Sequence, residues 1–182
     1  MLYRSNDLEE KSALNTAAKM CAAARTAPKA HGKDTLHTLV LTGDEKELLA
    51  QKMEEAGTRE MESGMNAWHG RDAANVRKAQ AVVLIGTDQK QRGVPHCGFC
   101  GFRNCEGCKK AGGNCAFVYT DLGIAVSSAV MVAAMDMVDN RIMYSIGKAA
   151  AEMEYAENVL WLGIPISISD KNIFFDRGIF HD

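Results

Sequence analysis

The apolar run Ala81-Val-Val-Leu-Ile85 is the stretch that best defines the fold of this 182-residue chain. A continuous apolar run of this kind, preceded by a helical pattern over Arg71–Ala79, is typical of a strand buried on both faces. Outward from it, predicted helices and strands alternate along the sequence. We therefore expect one domain over residues 1–182 of the α/β (α+β) class, with helices flanking a central sheet.

The other elements follow from periodicity and from stop signals. They are a helix from an Asp7–Glu10 capping box to about Ala27, a strand Thr35–Thr42, a helix Glu45–Glu55, a helix Asp121–Val138, a strand Arg141–Ile146, a helix Lys148–Asn158 and a short strand Ile164–Ile168. Pro28 should end the first helix, because proline disfavours helix at the preceding residue. Asp121 is expected to cap its helix.

Between these elements, residues 87–120 break the pattern. The segment is rich in glycine, has little apolar periodicity and holds five of the six cysteines of the chain: Cys97, Cys100, Cys105, Cys108 and Cys115. A loop this long is uncommon in a compact domain unless something ties it down. The sequence therefore predicts an inserted, cysteine-rich, metal-binding loop.

Clustered thiolates are ligands for iron–sulfur clusters or zinc. Gly98 and Gly101 each follow a cysteine, and glycine can take the positive φ that turns amides inward toward cluster sulfides. A zinc knuckle also starts with Cys-x₂-Cys, but its second pair usually lies farther away. The crowding favours a four-iron–four-sulfur cluster, with zinc and unligated thiols as alternatives.

Five cysteines compete for four ligand positions. Cys105-x₂-Cys108 would complete a self-contained set, whereas Cys115 could instead close the site. The Cys-Gly-x-Cys-Gly-x₃-Cys spacing resembles the iron–sulfur domain of electron-transport complex subunits, in which the fourth cysteine lies well downstream. That resemblance implies Cys97, Cys100, Cys105 and Cys115 as ligands, with Cys108 as the alternative fourth. Cys21 is interpreted as a core residue of the first helix.

Four segments together resemble an uncharacterised bacterial and archaeal family of ferredoxin-domain-containing proteins of unknown function. They are residues 24–30 (ARTAPKA), the Cys-Gly-x-Cys-Gly-Phe-x₂-Cys run from Cys97, residues 120–128 (TDLGIAVSS) and residues 171–177 (KNIFFDR). The resemblance covers most of the chain and implies a four-iron–four-sulfur site. It implies no established reaction.

A second resemblance is to the flavin-dependent nitroreductases. Residues 23–31 (AARTAPKAH), the small-residue helix after Asp121 and the Arg141–Gly147 segment are similar to the segments of that family that line an FMN (flavin mononucleotide) site. This implies a nitroreductase-like fold, with possible flavin contacts by position at Arg25, Pro28, Lys29, Ala30, Ser145 and Gly147. Lys29 stands where serine is usual, and Arg4 is the only candidate for the arginines that grip the flavin phosphate.

Charge and hydropathy limit the classes of partner that this protein is expected to have. The net charge of −2, with both signs interspersed, gives no general attraction to nucleic acid or anionic membrane. The longest uncharged run, Leu122–Met135, is shorter than the roughly 18 residues of a membrane span and reads as a buried helix. Its methionines are expected in the core or in a homodimer seam. The charged N-terminus lacks an export signal, so we expect a cytoplasmic protein.

The sequence thus predicts an iron–sulfur redox protein that transfers single electrons, with coupling to a flavin that reduces a small substrate. The alternative is a non-catalytic binding or redox-sensing protein with a structural metal. No residue can be assigned as a catalytic acid or base. His37 is expected to be exposed on its strand. Phe174 and Phe175 are expected to pack on the core, with docking to a partner as the alternative.

Overall fold

The computed structural model describes residues 1–62 and 68–175. Its α-helices are α1 (Ser5–Thr26), α2 (Gly43–Glu62), α3 (Trp68–Lys78), α4 (Cys105–Lys110), α5 (Ala116–Met135) and α6 (Tyr144–Glu152). Its strands are β1 (Leu36–Leu41), β2 (Ala81–Asp88), β3 (Asp139–Asn140) and β4 (Val159–Ser167). Single 3-10 turns lie at Ala30–Gly32 and Ile173–Phe175.

The strands form one sheet in the order β1-β2-β4-β3, and every neighbouring pair is antiparallel. Strand β2 lies inside the sheet and is buried from Ala81 to Thr87, as the apolar run predicts. Alternating helices and strands are typical of proteins with a parallel sheet, but the sheet here is antiparallel. The architecture is α+β, and β2 is continuously apolar because helices cover both faces of an antiparallel sheet.

Two apolar layers lie on the two faces of the sheet. Helices α1 and α5 cover one face and pack on Val83 and Ile85, whereas α2, α3 and α6 cover the other and pack on Val82 and Leu84. Successive β2 side chains alternate between the layers because a strand has a period of two. The sheet is therefore the shared centre of two cores.

Helix α6 packs directly on the backbone of β4. A Cβ atom on Gly147 would lie 2.0 Å from the carbonyl oxygen of Trp161, and one on Gly163 would lie 1.9 Å from Cγ2 of Ile146. Both glycines are required by close approach. The α6–β4 contact thus has no room for an added methyl group.

Two predicted elements near the C-terminal half are wrong. The predicted strand Arg141–Ile146 is mostly absent, since β3 ends at Asn140, Met143 makes only an isolated bridge to Gly163, and α6 begins at Tyr144. A short apolar run does not distinguish a strand from a helix by periodicity. The predicted helix Lys148–Asn158 ends early, at Glu152, and a turn with positive φ follows it at Glu154.

Predictions near the N-terminus fare better. Helix α1 ends at Thr26, with Ala27 as its C-cap just before Pro28, and β1 lies within the predicted Thr35–Thr42 strand. Asp7 is not the N-cap. It lies in the first turn, where its carboxylate accepts a 3.1 Å hydrogen bond from the backbone N–H of Arg4.

Helix α5 starts five residues earlier than predicted, at Ala116, with Cys115 as its N-cap. Asp121 is therefore a buried residue of the second turn and not a cap, which corrects the prediction. Among the described residues, α5 is long and apolar enough to cross a membrane by length and composition alone. In this structure one stripe of it, including Ala125 and Ala129, is buried against α1 and the sheet.

The C-terminal aromatic pair divides. Phe174 is buried in the second core, as expected, whereas Phe175 is exposed and lies under the guanidinium of Arg141, 4.9 Å from its ring centroid. Asp176 and Arg177 of the quoted motif lie outside the described residues. Phe174 alone of the two therefore anchors this segment in the core.

Candidate metal centre

The loop between β2 and α5 encloses a cavity of about 360 Å³. All five cysteines that the sequence singled out line it: Cys97, Cys100, Cys105, Cys108 and Cys115. The sixth, Cys21, packs at the edge of the first core, as expected. Folding therefore gathers one thiol cluster at one end of the molecule.

Glycine turns shape the first half of the loop. Gly98 has φ +56° and Gly101 has φ +82°, which confirms that these positions need a left-handed backbone. The turn at Gly98 lets the backbone N–H of Phe99 donate to Sγ of Cys97 at 3.3 Å. An N–H donor of this kind stabilises negative charge on the sulfur and tunes a metal bound to it.

The short helix α4 carries two cysteines. Asn104 is its N-cap, and its side-chain oxygen accepts from the N–H of Gly107 at 2.8 Å. Cys105 and Cys108 are three residues apart, so they share a helix face, which here is the face toward the cavity. The Asn104 cap therefore stabilises the helical turn that places the Cys105 and Cys108 thiols on the cavity wall.

Cys115 enters the site from α5. It is the N-cap residue of that helix and therefore lies at the positive end of the helix dipole. Its rival, Cys108, is fully buried.

The two candidates for the fourth ligand position lie close together. Burial raises the pKa of the Cys108 thiol, and the neighbouring thiols of Cys100 and Cys115 raise it further. This mutual effect means that Cys108 lies inside the thiol cluster and is not a distant bystander. Both cysteines reach the cavity, so the choice of Cys115 over Cys108 stays a prediction.

The shape of the site suits a group larger than one ion. Zinc needs four ligands that meet at one point. The thiolates of a four-iron cluster bind separate iron atoms, so they surround a volume, as these cysteines surround the cavity. The donor set therefore fits an iron–sulfur cluster.

Aromatic rings border the cysteines. Phe99 and Phe117 contact each other with their rings tilted by 52° and their centroids 5.3 Å apart. Phe102 lies against Gly113, where a Cβ would come within 2.6 Å of the ring. Apolar groups around a metal site limit the access of water and so influence its reduction potential. Phe99 itself is exposed, so the site is not fully closed.

Arg25 lies in the last turn of α1, and Pro28, Lys29 and Ala30 lie in the turn that follows. The Lys29 ammonium folds back onto backbone carbonyl groups, including that of Ala27 at 2.7 Å. Arg25 pairs with Asp34 at 2.7 Å, and the N–H of Ala30 donates to Asp121 at 3.0 Å. The polar groups of this turn are thus already engaged within the chain.

The other two predicted flavin contacts lie on the opposite face of the sheet. Ser145 is fully buried on α6 and donates to Asp72 at 2.6 Å, and Gly147 faces the backbone of Trp161. The structure therefore does not gather the six predicted positions around one space. FMN binding by these residues stays a prediction.

Sequence reasoning passed over Arg92, which the structure makes prominent. Its side chain is only 1% exposed and pairs with Asp121, whose side chain is 4% exposed, at 2.9 Å. The one available signal was Asp121 itself, a lone acid beside an otherwise uncharged helix. A carboxylate at such a position is expected to pair with a buried cation, because an unpaired buried charge is strongly unfavourable.

The architecture is that of the nitroreductase fold. The nitroreductase CinD from Lactococcus lactis in complex with nicotinic acid superposes with a TM-score of 0.59 at 17% identity, over 90% of this chain and 80% of that one. A putative nitroreductase in complex with FMN from Desulfovibrio desulfuricans gives 0.57 at 14% identity, over 87% and 75%. Identities this low show a shared fold only.

Sequence similarity identifies the family. A model of the family described as "Uncharacterized protein containing a ferredoxin domain (DUF2148)" matches residues 111–177. An uncharacterised protein from Archaeoglobus fulgidus is 40% identical over 185 residues, which cover 97% of this chain and 98% of that protein. The chain belongs to this ferredoxin-domain-containing family, as its motifs predicted. A ferredoxin domain implies an iron–sulfur cluster.

Proposed function

We propose that this protein is an iron–sulfur redox protein that transfers single electrons through a cluster bound in the cysteine-lined cavity. The observation that carries the proposal is the gathering of all five loop cysteines around one cavity in a ferredoxin-domain chain. Bound there, an iron–sulfur cluster supplies one-electron chemistry at a potential set by its surroundings. Cys97, Cys100, Cys105 and Cys115 are the proposed ligands, with Cys108 as the alternative fourth.

The chain's own residues hold and tune the site. The Phe99 N–H directs positive charge toward Sγ of Cys97, and the N-terminus of α5 does the same for Cys115. Phe102 and Phe117 limit water at the cavity wall. Exposure of Phe99 leaves an apolar edge near the cysteines, where an electron donor or acceptor could approach.

The direct test is anaerobic purification of the full chain, followed by iron and sulfide analysis and a redox titration. We expect broad absorption near 400 nm, about four iron atoms per chain and reversible reduction with the metal retained. Stoichiometric zinc in a colourless sample would contradict the proposal. Iron that is retained but shows no reversible reduction would favour the structural-metal alternative.

Coupling to a flavin is a second candidate, favoured by the FMN named for one structure of the same fold. The turn at Arg25–Ala30 and the α6 positions already use their polar groups internally, so we assign no step to a flavin. The same purified sample tests this point. FMN released on denaturation would support a flavin-dependent reduction. A chain that releases none, after incubation with FMN and removal of the unbound flavin, would oppose it.

A homodimer through α5 is also part of the proposal. The outward face of this helix exposes apolar side chains; Met131 is 64% exposed and Met135 is 72% exposed. Small residues such as Gly123 and Ser127 on the same face would allow two helices to approach closely. Light scattering should give twice the chain mass, and Met131→Lys should lower it toward the monomer while Lys148→Met should not.

A further inference from the structure

Arg92 lies five residues before Cys97, at the base of the cysteine loop, and its guanidinium is held on three sides. Nε donates to Asp121 at 2.9 Å, Nη2 donates to the Thr87 hydroxyl at 2.8 Å, and Nη1 donates to the carbonyls of Lys90 at 2.9 Å and Asp88 at 3.3 Å. A forked side chain with contacts at all three nitrogens has a fixed orientation. Arg92 is therefore a rigid buried anchor.

Asp121 lies six residues after Cys115 and joins a third segment to the same point. One of its oxygens accepts from Arg92, and the other accepts from the backbone N–H of Ala30 at 3.0 Å. Nδ1 of His31 lies 3.4 Å from the carbonyl of Arg92. The start of the loop, the helix at its end and the α1–β1 turn thus meet at one ion pair.

The pair works as a unit because neither partner is stable alone in this position. A buried charge without its counterion is strongly unfavourable, whereas a paired and hydrogen-bonded one is tolerated. Both side chains are at least nine-tenths buried. The two ends of the loop are therefore held together by contacts that need no metal.

We propose that Arg92 and Asp121 are positioning residues for the metal centre. Their ion pair closes the base of the loop in the metal-free chain, sets the separation between the Cys97 and Cys115 ends, and fixes both against the α1–β1 turn. The inference rests on the proposed metal-binding function and adds to it a reason why the apo site is ready to receive its metal. Outer-shell groups of this kind orient ligands without touching the metal.

The test compares Asp121→Asn, which removes the charge and keeps the shape, with Glu55→Gln. The control breaks an exposed ion pair between Glu55 and Lys52 in α2, and neither residue lines the cavity. Backbone hydrogen exchange is measured on the reduced, metal-free, full-length chain. In Asp121→Asn, we expect exchange at Gly101, Cys108 and Gly113, whose N–H groups donate to backbone carbonyls within the loop, to accelerate about tenfold more than exchange in β2, because the loop opens locally. The control should match the wild type.

Cobalt(II) binding to the same samples gives the second readout, through its thiolate charge-transfer absorption. Asp121→Asn should bind cobalt(II) about 10- to 100-fold more weakly than the wild type, the usual effect of losing an outer-shell partner. Equal acceleration of exchange in the loop and in β2, or unchanged cobalt affinity, would overturn the inference and leave the pair a general stabiliser.

Arg92→Lys keeps the charge beside Asp121 but loses the forked contacts, so it serves if Asp121→Asn does not fold. Arg92→Lys should also accelerate exchange in the loop and weaken cobalt(II) binding, both by smaller factors than Asp121→Asn. Wild-type values for exchange and for cobalt(II) affinity would overturn the inference. Both readouts use the metal-free chain. They therefore remain valid if the loaded wild type proves unable to transfer electrons, which is the result that would defeat the proposed function.

Discussion

The β2–β4 strand pair and the cysteine loop are organised by different forces. The strand pair has a continuous antiparallel register from Ala81↔Ile166 to Asp88↔Val159 and apolar cores on both faces. The loop has one six-residue helix, glycine turns and a buried ion pair at its base. Burial of apolar area stabilises the first region, whereas local hydrogen bonds, charge pairing and the proposed metal stabilise the second.

This difference implies that the sheet and the loop should respond separately to mutation. Steric changes in the sheet should unfold the whole molecule, because close packing tolerates little added volume. Loss of a thiol should remove the metal and leave the sheet intact. The first three predictions below test that separation and the fourth tests the α1–α5 contact, in order from the largest expected effect to the smallest.

Gly147→Ala should destabilise the protein by about 3 kcal/mol, the upper end of the usual cost of overpacking, because the backbone it meets has little room to move. Its new methyl would overlap the backbone carbonyl of Trp161. Gly70→Ala in α3 is the matched control, because nothing lies within 4 Å of its new Cβ. Denaturant unfolding measures both. Equal stability of the two variants would show that α6 can shift away from β4.

Cys97→Ser should abolish the iron and the visible absorption. Compared in their metal-free forms, the variant and the wild type should differ in unfolding free energy by less than about 1 kcal/mol, because the change lies outside both cores. Circular dichroism and denaturant unfolding test this, with iron analysis on the same samples. A metal-free variant that fails to fold would break the separation between loop and sheet.

Cys115→Ser and Cys108→Ser decide the fourth ligand. If Cys115 is the ligand, its variant should lose iron, whereas Cys108→Ser should keep about four iron atoms per chain with a modest change in potential, since it lies beside Cys100 and Cys115. Iron content and the redox midpoint measure the two effects. Loss of iron only in Cys108→Ser would assign Cys108 and correct the prediction.

The smallest effect concerns the contact between α1 and the end of α5. Hydrogen bonds from Lys19 and Thr16 lower the pKa of Asp136 below its ordinary value. The carboxylate therefore stabilises the fold above about pH 3.9, its unfolded pKa, and this contribution disappears as the pH falls through the lower folded value. The free energy of unfolding should therefore fall less between about pH 6 and about pH 3 in Asp136→Asn than in the wild type, as measured by denaturant unfolding at each pH. Parallel pH profiles for variant and wild type would contradict this.

Much of the fold could be predicted from local signals. The Ala81–Ile85 run marks the buried strand, and Pro28 ends α1 because proline restricts the residue before it. The antiparallel direction of the sheet could not be predicted, because an apolar run gives burial and not direction. Periodicity also failed at Arg141–Ile146, where contact with β4 selects a helix from Tyr144 onward.

At the candidate site, the spacing of Cys97 to Cys108 and the glycines after two cysteines were sufficient to predict a cysteine-rich loop and positive φ. The ion pair of Arg92 with Asp121 was not predictable, since 29 residues separate its partners and only folding brings them together. The same applies to Ser145, which the resemblance suggested as a flavin contact and which the structure pairs with Asp72.

The sequence by itself determined which segment holds the cysteines, where the backbone must turn, and which strand must be buried. Those properties depend on residue type and short spacing. The tertiary structure alone decided that five thiols share one cavity, that a buried ion pair closes its base, and that α6 lies against β4 without room for a methyl group. These depend on the packing of segments distant in sequence, which local patterns do not encode.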